Sequence, residues 1–105
     1  MNVDATILDD LYNILENRKE ADPGDSYTAI LYSKGTSKIA QKVGEEAVET
    51  LIEGINGNKQ GLCEESADLL YHLLVLWADQ NVKPEDVWSV LNDRFLQKQQ
   101  EGETK

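Results

Sequence analysis

The chain has 105 residues, of which 40% are hydrophobic, and its 20 acidic and 10 basic side chains give a net charge of −10. This length suits one small domain with a modest core, and the hydrophobic content is typical of a globular chain rather than a disordered one. The negative charge argues against non-specific nucleic-acid binding and against binding to anionic membrane surfaces.

Three further features bear on where the protein works. The only cysteine is Cys63, so the chain has no internal disulfide, and a free thiol fits the cytoplasm. The first four residues lack the basic and apolar regions of a secretory leader. The apolar run from Leu69 to Ala78 is too short to cross a bilayer. We therefore expect a cytoplasmic protein that spans no membrane.

Helical periodicity recurs along the chain and predicts four helices in a single domain over 1–105. The first is expected over about Ala5 to Lys19 and the second over about Thr36 to Ile55. The third is expected over about Leu62 to Asp79, and the fourth begins near Pro84, a favourable first-turn residue. From about residue 97 the tail is polar and is expected to fray. We find no strand pattern.

The segment 26–36 is ambiguous between a helix and a loop. It follows Asp22-Pro23-Gly24, a strong helix breaker, and it ends near Gly35. We expect a partly ordered loop here.

Apolar side chains predict which helix faces are buried. The stripe on the second helix consists of Ile39, Ala40, Val43, Ala47, Leu51 and Ile55, and that on the fourth of Val87, Trp88, Leu91 and Phe95. The third helix is apolar over most of its circumference, so it must be surrounded by other elements. It could be the central helix of a monomeric bundle, but so short a chain builds little core alone. We therefore expect an all-α bundle of about four to five helices, completed by homodimerisation.

Two acidic pairs with the same spacing are the most informative motif. Glu46 and Glu49 lie three residues apart on the second helix, and Glu65 and Asp68 repeat this spacing on the third. Residues three apart on a helix share a face, so each pair points two carboxylates in one direction. Four acids that converge from two helices indicate a hard divalent cation held by oxygen ligands, and Mg²⁺ or Mn²⁺ fits a site without cysteine.

The charges of the second helix are segregated along its length. A helical wheel puts six of them opposite the apolar stripe: Lys38, Lys42, Glu45, Glu46, Glu49 and Glu53. An ordinary solvated face with ion pairs such as Lys42 to Glu46 is one interpretation. However, separating basic from acidic residues along one helix does not stabilise a solvated face, because like charges at i,i+4 repel. A binding site for phosphate and metal would explain this separation, and Lys34, Lys38 and Lys42 are the candidate phosphate contacts.

Three titratable positions on the third helix admit simpler explanations. Glu65 and the preceding Glu64 could merely compensate the helix dipole, but Asp68 lies one turn further in, beside apolar residues. His72 could orient the carboxylate of Asp68, although a lone histidine of this kind is more often a satisfied core or interface residue.

Three blocks of this sequence resemble the phosphoribosyl-ATP pyrophosphatases of histidine biosynthesis, over nearly the whole chain from about Leu8 to Phe95. The first block comprises residues 26–29, Gly35 and residues 38–50. The second is 64–76 and the third is 82–91. The first two are specific. The order Glu-Glu-x-x-Glu and then Glu-x-x-Asp is also the wider signature of the all-α MazG-like nucleoside triphosphate pyrophosphatases.

The resemblance implies hydrolysis of phosphoribosyl-ATP between its α- and β-phosphates, with release of pyrophosphate. It maps Glu46, Glu49, Glu65 and Asp68 onto magnesium-binding positions. Glu45 could be a further ligand, bind through water or act as the catalytic base. Segment 26–36 is then a plausible lid.

Two other functions remain open at this point. A housekeeping pyrophosphatase of the same fold would act on free or damaged nucleotides, and a catalytically silent helical dimer would serve as a scaffold. Loss of one acid from either pair would favour the scaffold, and no acid is lost.

Overall fold

The computed structural model describes residues 3–97, and over that range the protein is all-α, as predicted. Five α-helices follow one another without a strand among these residues: α1 (Ile7–Asn17), α2 (Tyr27–Lys34), α3 (Thr36–Ile55), α4 (Lys59–Asp79) and α5 (Pro84–Leu91). A 3₁₀ turn, Arg18–Glu20, follows α1, and a π-helical turn, Asn92–Leu96, follows α5. The polar tail expected from about residue 97 lies almost wholly outside the described residues.

Helices α3 and α4 form a long hairpin that is the centre of the fold. The turn between them places Gly57 at a φ of 71°, a left-handed conformation that glycine adopts without strain. Asn58 then caps α4, because its side-chain oxygen accepts a hydrogen bond from the Gly61 amide at 3.0 Å. A Cβ atom at Gly61 would lie 2.7 Å from Oε1 of Glu53, so this glycine leaves room for the Glu53 side chain of α3 beside the first turn of α4.

The hydrophobic core lies at one end of the hairpin, where α1 and α2 pack on the start of α3 and the end of α4. Its buried members are Tyr12, Leu15, Leu31, Ile39, Leu74, Val75 and Ala78. Two tyrosine hydroxyls tie the elements together: Tyr12 donates to the Val82 carbonyl at 2.8 Å, and Tyr32 donates to the Leu15 carbonyl at 2.9 Å. The opposite end of the hairpin has no such cover among residues 3–97.

The expectation of a loop over 26–36 is wrong, because most of this segment is helix α2. Ser26 caps the helix by accepting a hydrogen bond from the Ala29 amide at 3.0 Å. Thr28, Ala29 and Leu31 are buried, whereas the apolar Ile30 between them is 37% exposed, so apolar character does not mark the buried face of this helix. The helix is therefore held by packing on its neighbours, which a periodicity search does not detect. The packing also removes the argument that weak order in this segment marks a lid.

The face of α3 that meets α4 also differs from the prediction. Ile39 is buried as expected, but Leu51 and Ile55 are exposed, the latter by 78%, whereas Glu46 is buried. Ile39 and Glu46 are seven residues apart and so lie on one line along the helix. This line is the border between the apolar stripe and the charged strip, and α3 meets α4 along it.

Helix α5 is less buried than predicted. Val87 and Trp88 are half-buried, and the indole of Trp88 meets that of Trp77 edge to face, with ring centres 5.9 Å apart. Leu91 and Phe95 are exposed in the single chain. Among residues 3–97 we find no helix with the length and apolar character that a membrane crossing requires.

Replacement of Leu15 by alanine should lower the free energy of unfolding by about 2–5 kcal/mol, because the side chain is 2% exposed and its loss leaves a cavity. The neighbouring Ile14 is 40% exposed, so Ile14→Ala should cost much less. Urea denaturation of both variants measures the difference. Equal losses would show that α1 does not pack with the face described here.

Candidate metal centre

Three carboxylates converge at the middle of the α3–α4 hairpin. Glu46 and Glu49 occupy successive turns of α3, and Glu65 faces them from the first half of α4. One oxygen from each lies within 4.8 Å of the others. The structure thus brings together three of the four acids that the two paired motifs predicted as ligands.

Two oxygens of this group are buried without a partner. Oε1 of Glu46 and Oε1 of Glu65 are almost inaccessible to solvent and have no hydrogen-bond partner among the described residues. Glu46 as a whole is only 8% exposed. A buried carboxylate oxygen without a partner is unfavourable unless a proton or a cation compensates it. The arrangement therefore fits a divalent cation with oxygen ligands.

Without a cation, the close approach of the three acids favours protonation of Glu65. A hydrogen bond shared with Glu49 raises the pKa of Glu65 to about 7, and desolvation and the charges of Glu49, Asp68 and Glu46 act in the same direction. A protonated Glu65 could donate a hydrogen bond to Glu49, which would reduce the repulsion among the three acids.

Asp68 lies one turn beyond Glu65, outside the group of three, and its side chain is exposed. Its backbone carbonyl accepts a hydrogen bond from Nδ1 of His72 at 2.8 Å. Because a carbonyl can only accept, this contact puts the imidazole proton on Nδ1 and leaves Nε2 to accept from the hydroxyl of Tyr27 at 3.1 Å. His72 is therefore a satisfied buried residue, and it contacts the backbone of Asp68 rather than its carboxylate.

Glu45 is exposed, is not part of the group of three and accepts hydrogen bonds from two side chains. Nε2 of Gln41 donates to it at 2.7 Å, and Nζ of Lys42 donates to it at 3.2 Å. The hydrogen bond from Gln41, followed by that from Lys42, lowers the pKa of Glu45. Gln41 was missed in the sequence, although its position four residues before Glu45 is a signal for this contact.

The three predicted phosphate-binding lysines lie at different distances from the carboxylates. Nζ of Lys42 is 3.9 Å from Oε2 of Glu46, so the expected pairing is present, but its contact with Glu45 is shorter. Lys38 lies one turn earlier on α3, and its charge helps to lower the pKa of Glu45. Lys34 is the exposed last residue of α2, before the turn at Gly35. Of the three, Lys42 is the one that the structure places beside the acids.

Comparison with known proteins gives one consistent group. The family described as "Phosphoribosyl-ATP pyrophosphohydrolase" matches residues 8–95. The chain is 58% identical over 92 residues to the phosphoribosyl-ATP pyrophosphatase of Azospirillum brasilense, which covers 88% of this chain and 83% of that protein. It is 53% identical over 94 residues to the enzyme of the same name from Paramagnetospirillum magneticum, with 90% and 86% covered. A histidine biosynthesis bifunctional protein, HisIE of Photobacterium profundum, is 52% identical over 87 residues, which are 83% of this chain and 42% of that protein.

The raised pKa of Glu65 predicts how the stability of the metal-free protein depends on pH. Between the ordinary glutamate pKa of 4.5 and the folded-state value of about 7, the folded protein binds more protons than the unfolded chain. The free energy of unfolding should therefore decrease as the pH rises through this window and level off above it. Urea denaturation in EDTA at several pH values measures the effect.

Glu65→Gln supplies the reference for that measurement, because glutamine resembles the protonated acid and does not titrate. The decrease should be smaller in this variant than in the wild type. Parallel pH profiles of the two proteins would show that Glu65 does not titrate in this window.

Proposed function

The chain belongs to the phosphoribosyl-ATP pyrophosphohydrolase family, and we propose that it hydrolyses phosphoribosyl-ATP to phosphoribosyl-AMP and pyrophosphate, the second step of histidine biosynthesis. It is a hydrolase, and the bond broken is the anhydride between the α- and β-phosphates. The observation that carries the proposal is the convergence of Glu46, Glu49 and Glu65, with two of their oxygens buried and unpaired. A divalent cation would satisfy these oxygens, and a polyphosphate substrate brings such a cation to the site.

We propose Mg²⁺ as the cation, with Mn²⁺ as a possible substitute. Glu46, Glu49 and Glu65 would hold it, and Asp68 is close enough along α4 to serve as a fourth ligand. All these donors are carboxylate oxygens, which suit a hard cation. When bound, the ion neutralises phosphate oxygens and lowers the pKa of a bound water.

The remaining charged residues have two proposed roles, phosphate binding and proton transfer. We propose that Lys42, which lies beside Glu46, contacts a phosphate oxygen. We assign the same role to Lys38, one turn earlier on α3, and to Lys34 at the end of α2. Glu45 is outside the group of three and is held anionic by its donors, so we propose it as the acceptor of the proton from water. Attack by water needs no side-chain nucleophile.

We also propose that the enzyme is a homodimer. In the single chain the half of the hairpin that lacks core cover exposes Val48, Leu51, Ile52 and Ile55 on α3, and Leu62 and Leu70 on α4. Monomers rarely leave so many neighbouring apolar side chains in water. A second copy related by a two-fold axis would cover them with the same surface.

The cytoplasm is the proposed compartment. Cys63 is exposed and unpaired, which fits a reducing environment. The net charge of −10 supports a small-molecule substrate rather than a nucleic acid.

The activity test is release of pyrophosphate from phosphoribosyl-ATP with and without Mg²⁺. Glu49→Gln removes one carboxylate of the three at almost constant volume and should lower the rate at least 10- to 100-fold, which is the loss typical of disturbed metal sites. Glu64→Gln is the matched control, because Glu64 is exposed and bonds only Gln60 on its own helix at 2.9 Å in the described contacts. Equal rates for the two variants would refute the metal site. Hydrolysis of ordinary nucleoside triphosphates but not of phosphoribosyl-ATP would refute the proposed substrate.

Light scattering after size exclusion tests the dimer. The wild type should have twice the mass of one chain, and Leu51→Glu should shift it to the mass of one chain by burying a charge in the interface. Val3→Glu is the control, since Val3 is exposed at the other end of the described chain. A wild-type mass of one chain would contradict the proposal.

A further inference from the structure

Tyr27, the first residue of α2, is anchored to α4 by two hydrogen bonds in series. Its hydroxyl donates to Nε2 of His72 at 3.1 Å, and Nδ1 of His72 donates to the Asp68 carbonyl at 2.8 Å. His72 is buried, so the imidazole has little freedom to reorient. The position of the Tyr27 ring is therefore fixed relative to the turn of α4 that carries Asp68.

Although it is anchored, Tyr27 is 49% exposed, whereas the next two residues, Thr28 and Ala29, are buried. Tyr71 covers one side of the ring, with centroids 6.3 Å apart and planes inclined by 24°. His72 meets the ring edge to face at 6.0 Å. With Tyr71 on one side of the ring, we infer that the solvent-exposed part includes the opposite side, which the hydrogen bond to His72 holds in place. A residue needed only to hold α2 in place would gain more from complete burial.

The residue that anchors this ring lies at a defined distance along α4 from one of the carboxylates. His72 follows Glu65 by seven residues, or two turns on the same face of α4, which is about 10 Å at 1.5 Å per residue. Tyr27 is also within electrostatic range of Lys42, which contacts Glu46. The spacing along α4 leaves room for a ribose and a phosphate between a base at Tyr27 and a cation at the carboxylates.

We propose that Tyr27 contacts the substrate by stacking its exposed ring side on the adenine base, and that His72 is the positioning residue that holds the ring. The inference rests on the proposed function, because an anhydride cleaved next to the α-phosphate puts the base one ribose away from the metal carboxylates. An aromatic face suits a planar base, and stacking contributes to affinity without the need for hydrogen bonds.

The test is calorimetric binding of AMP and, separately, of magnesium pyrophosphate to the protein and its variants. Tyr27→Leu removes the ring and should weaken AMP binding about 5- to 100-fold, as expected for the loss of one stacked base. Its affinity for magnesium pyrophosphate should stay within about twofold of the wild type. Tyr27→Phe keeps the ring but loses the hydrogen bond to His72, so it should recover only part of the lost AMP affinity, and full recovery would contradict the positioning role of His72.

Tyr32→Phe is the matched control for the stability of α2. It also removes a hydroxyl from this helix, the one that donates to the Leu15 carbonyl, but on the core side. It should lower the melting temperature and leave AMP affinity unchanged. Unchanged AMP affinity in Tyr27→Leu, equal losses in Tyr27→Leu and Tyr32→Phe, or no AMP binding by the wild type would each overturn the inference.

Kinetics with phosphoribosyl-ATP separate this inference from the proposed function. Tyr27→Leu should raise KM about 5- to 100-fold and change kcat far less, because stacking acts on bound substrate and transition state alike. A loss confined to kcat would contradict stacking. Absence of hydrolysis by the wild type would instead refute the proposed function, and the AMP result would still decide the role of Tyr27.

Discussion

The mutual burial of Glu46 and Glu65 at the α3–α4 interface is the constraint on which the rest of the structure depends. Each carboxylate has one oxygen that is almost inaccessible to solvent and has no hydrogen-bond partner among the described residues. Like charges in such a place oppose the pairing of the two helices, and only a shared proton or a cation removes the opposition. The hairpin must therefore be held together by interactions elsewhere, so that the acids stay close enough to act as a group.

In the α3–α4 hairpin, the hydrophobic core that holds the helices together lies at one end, apart from the three acids. Leu74, Val75 and Ala78, near the end of α4, pack with Ile39 near the start of α3 in a core that α1 and α2 cover. At the far end, the turn with Gly57 and the cap at Asn58 connect the two helices. The acids lie between the core and this turn. The same division leaves the apolar residues around Leu51 without cover in a single chain.

The sequence predicts those parts of the structure that depend on local spacing. The bounds of α3 agree with prediction because Gly35 and the Asn56-Gly57 turn define its ends, and the paired acids had to face a common direction on any helix. Helix α2 could not be found in this way, since its contacts join residues more than forty positions apart, Tyr27 to His72 and Thr28 to Tyr71. The sequence also could not predict how α3 is rotated about its axis relative to α4. Periodicity identifies an apolar face, but the partner decides whether the helix meets it at the centre of that face or at its border. The substrate, in turn, was predicted from resemblance and not from spacing.

A single turn of α4 links the candidate metal centre to α2. Asp68 presents its side chain on the outside of this turn, and its carbonyl accepts the hydrogen bond from His72 that in turn orients Tyr27. The helix fixes the distance from this turn to Glu65, because three residues correspond to less than one turn of a rigid α-helix. A side chain that α2 presents to the substrate, such as Tyr27, is therefore held at a set position relative to the carboxylates. Two hydrogen bonds and less than one turn of helix make up the path between them. This is the arrangement expected when a site must recognise one end of a nucleotide and cleave at a set distance from it, since precise placement depends on the rigidity of the path between the two positions.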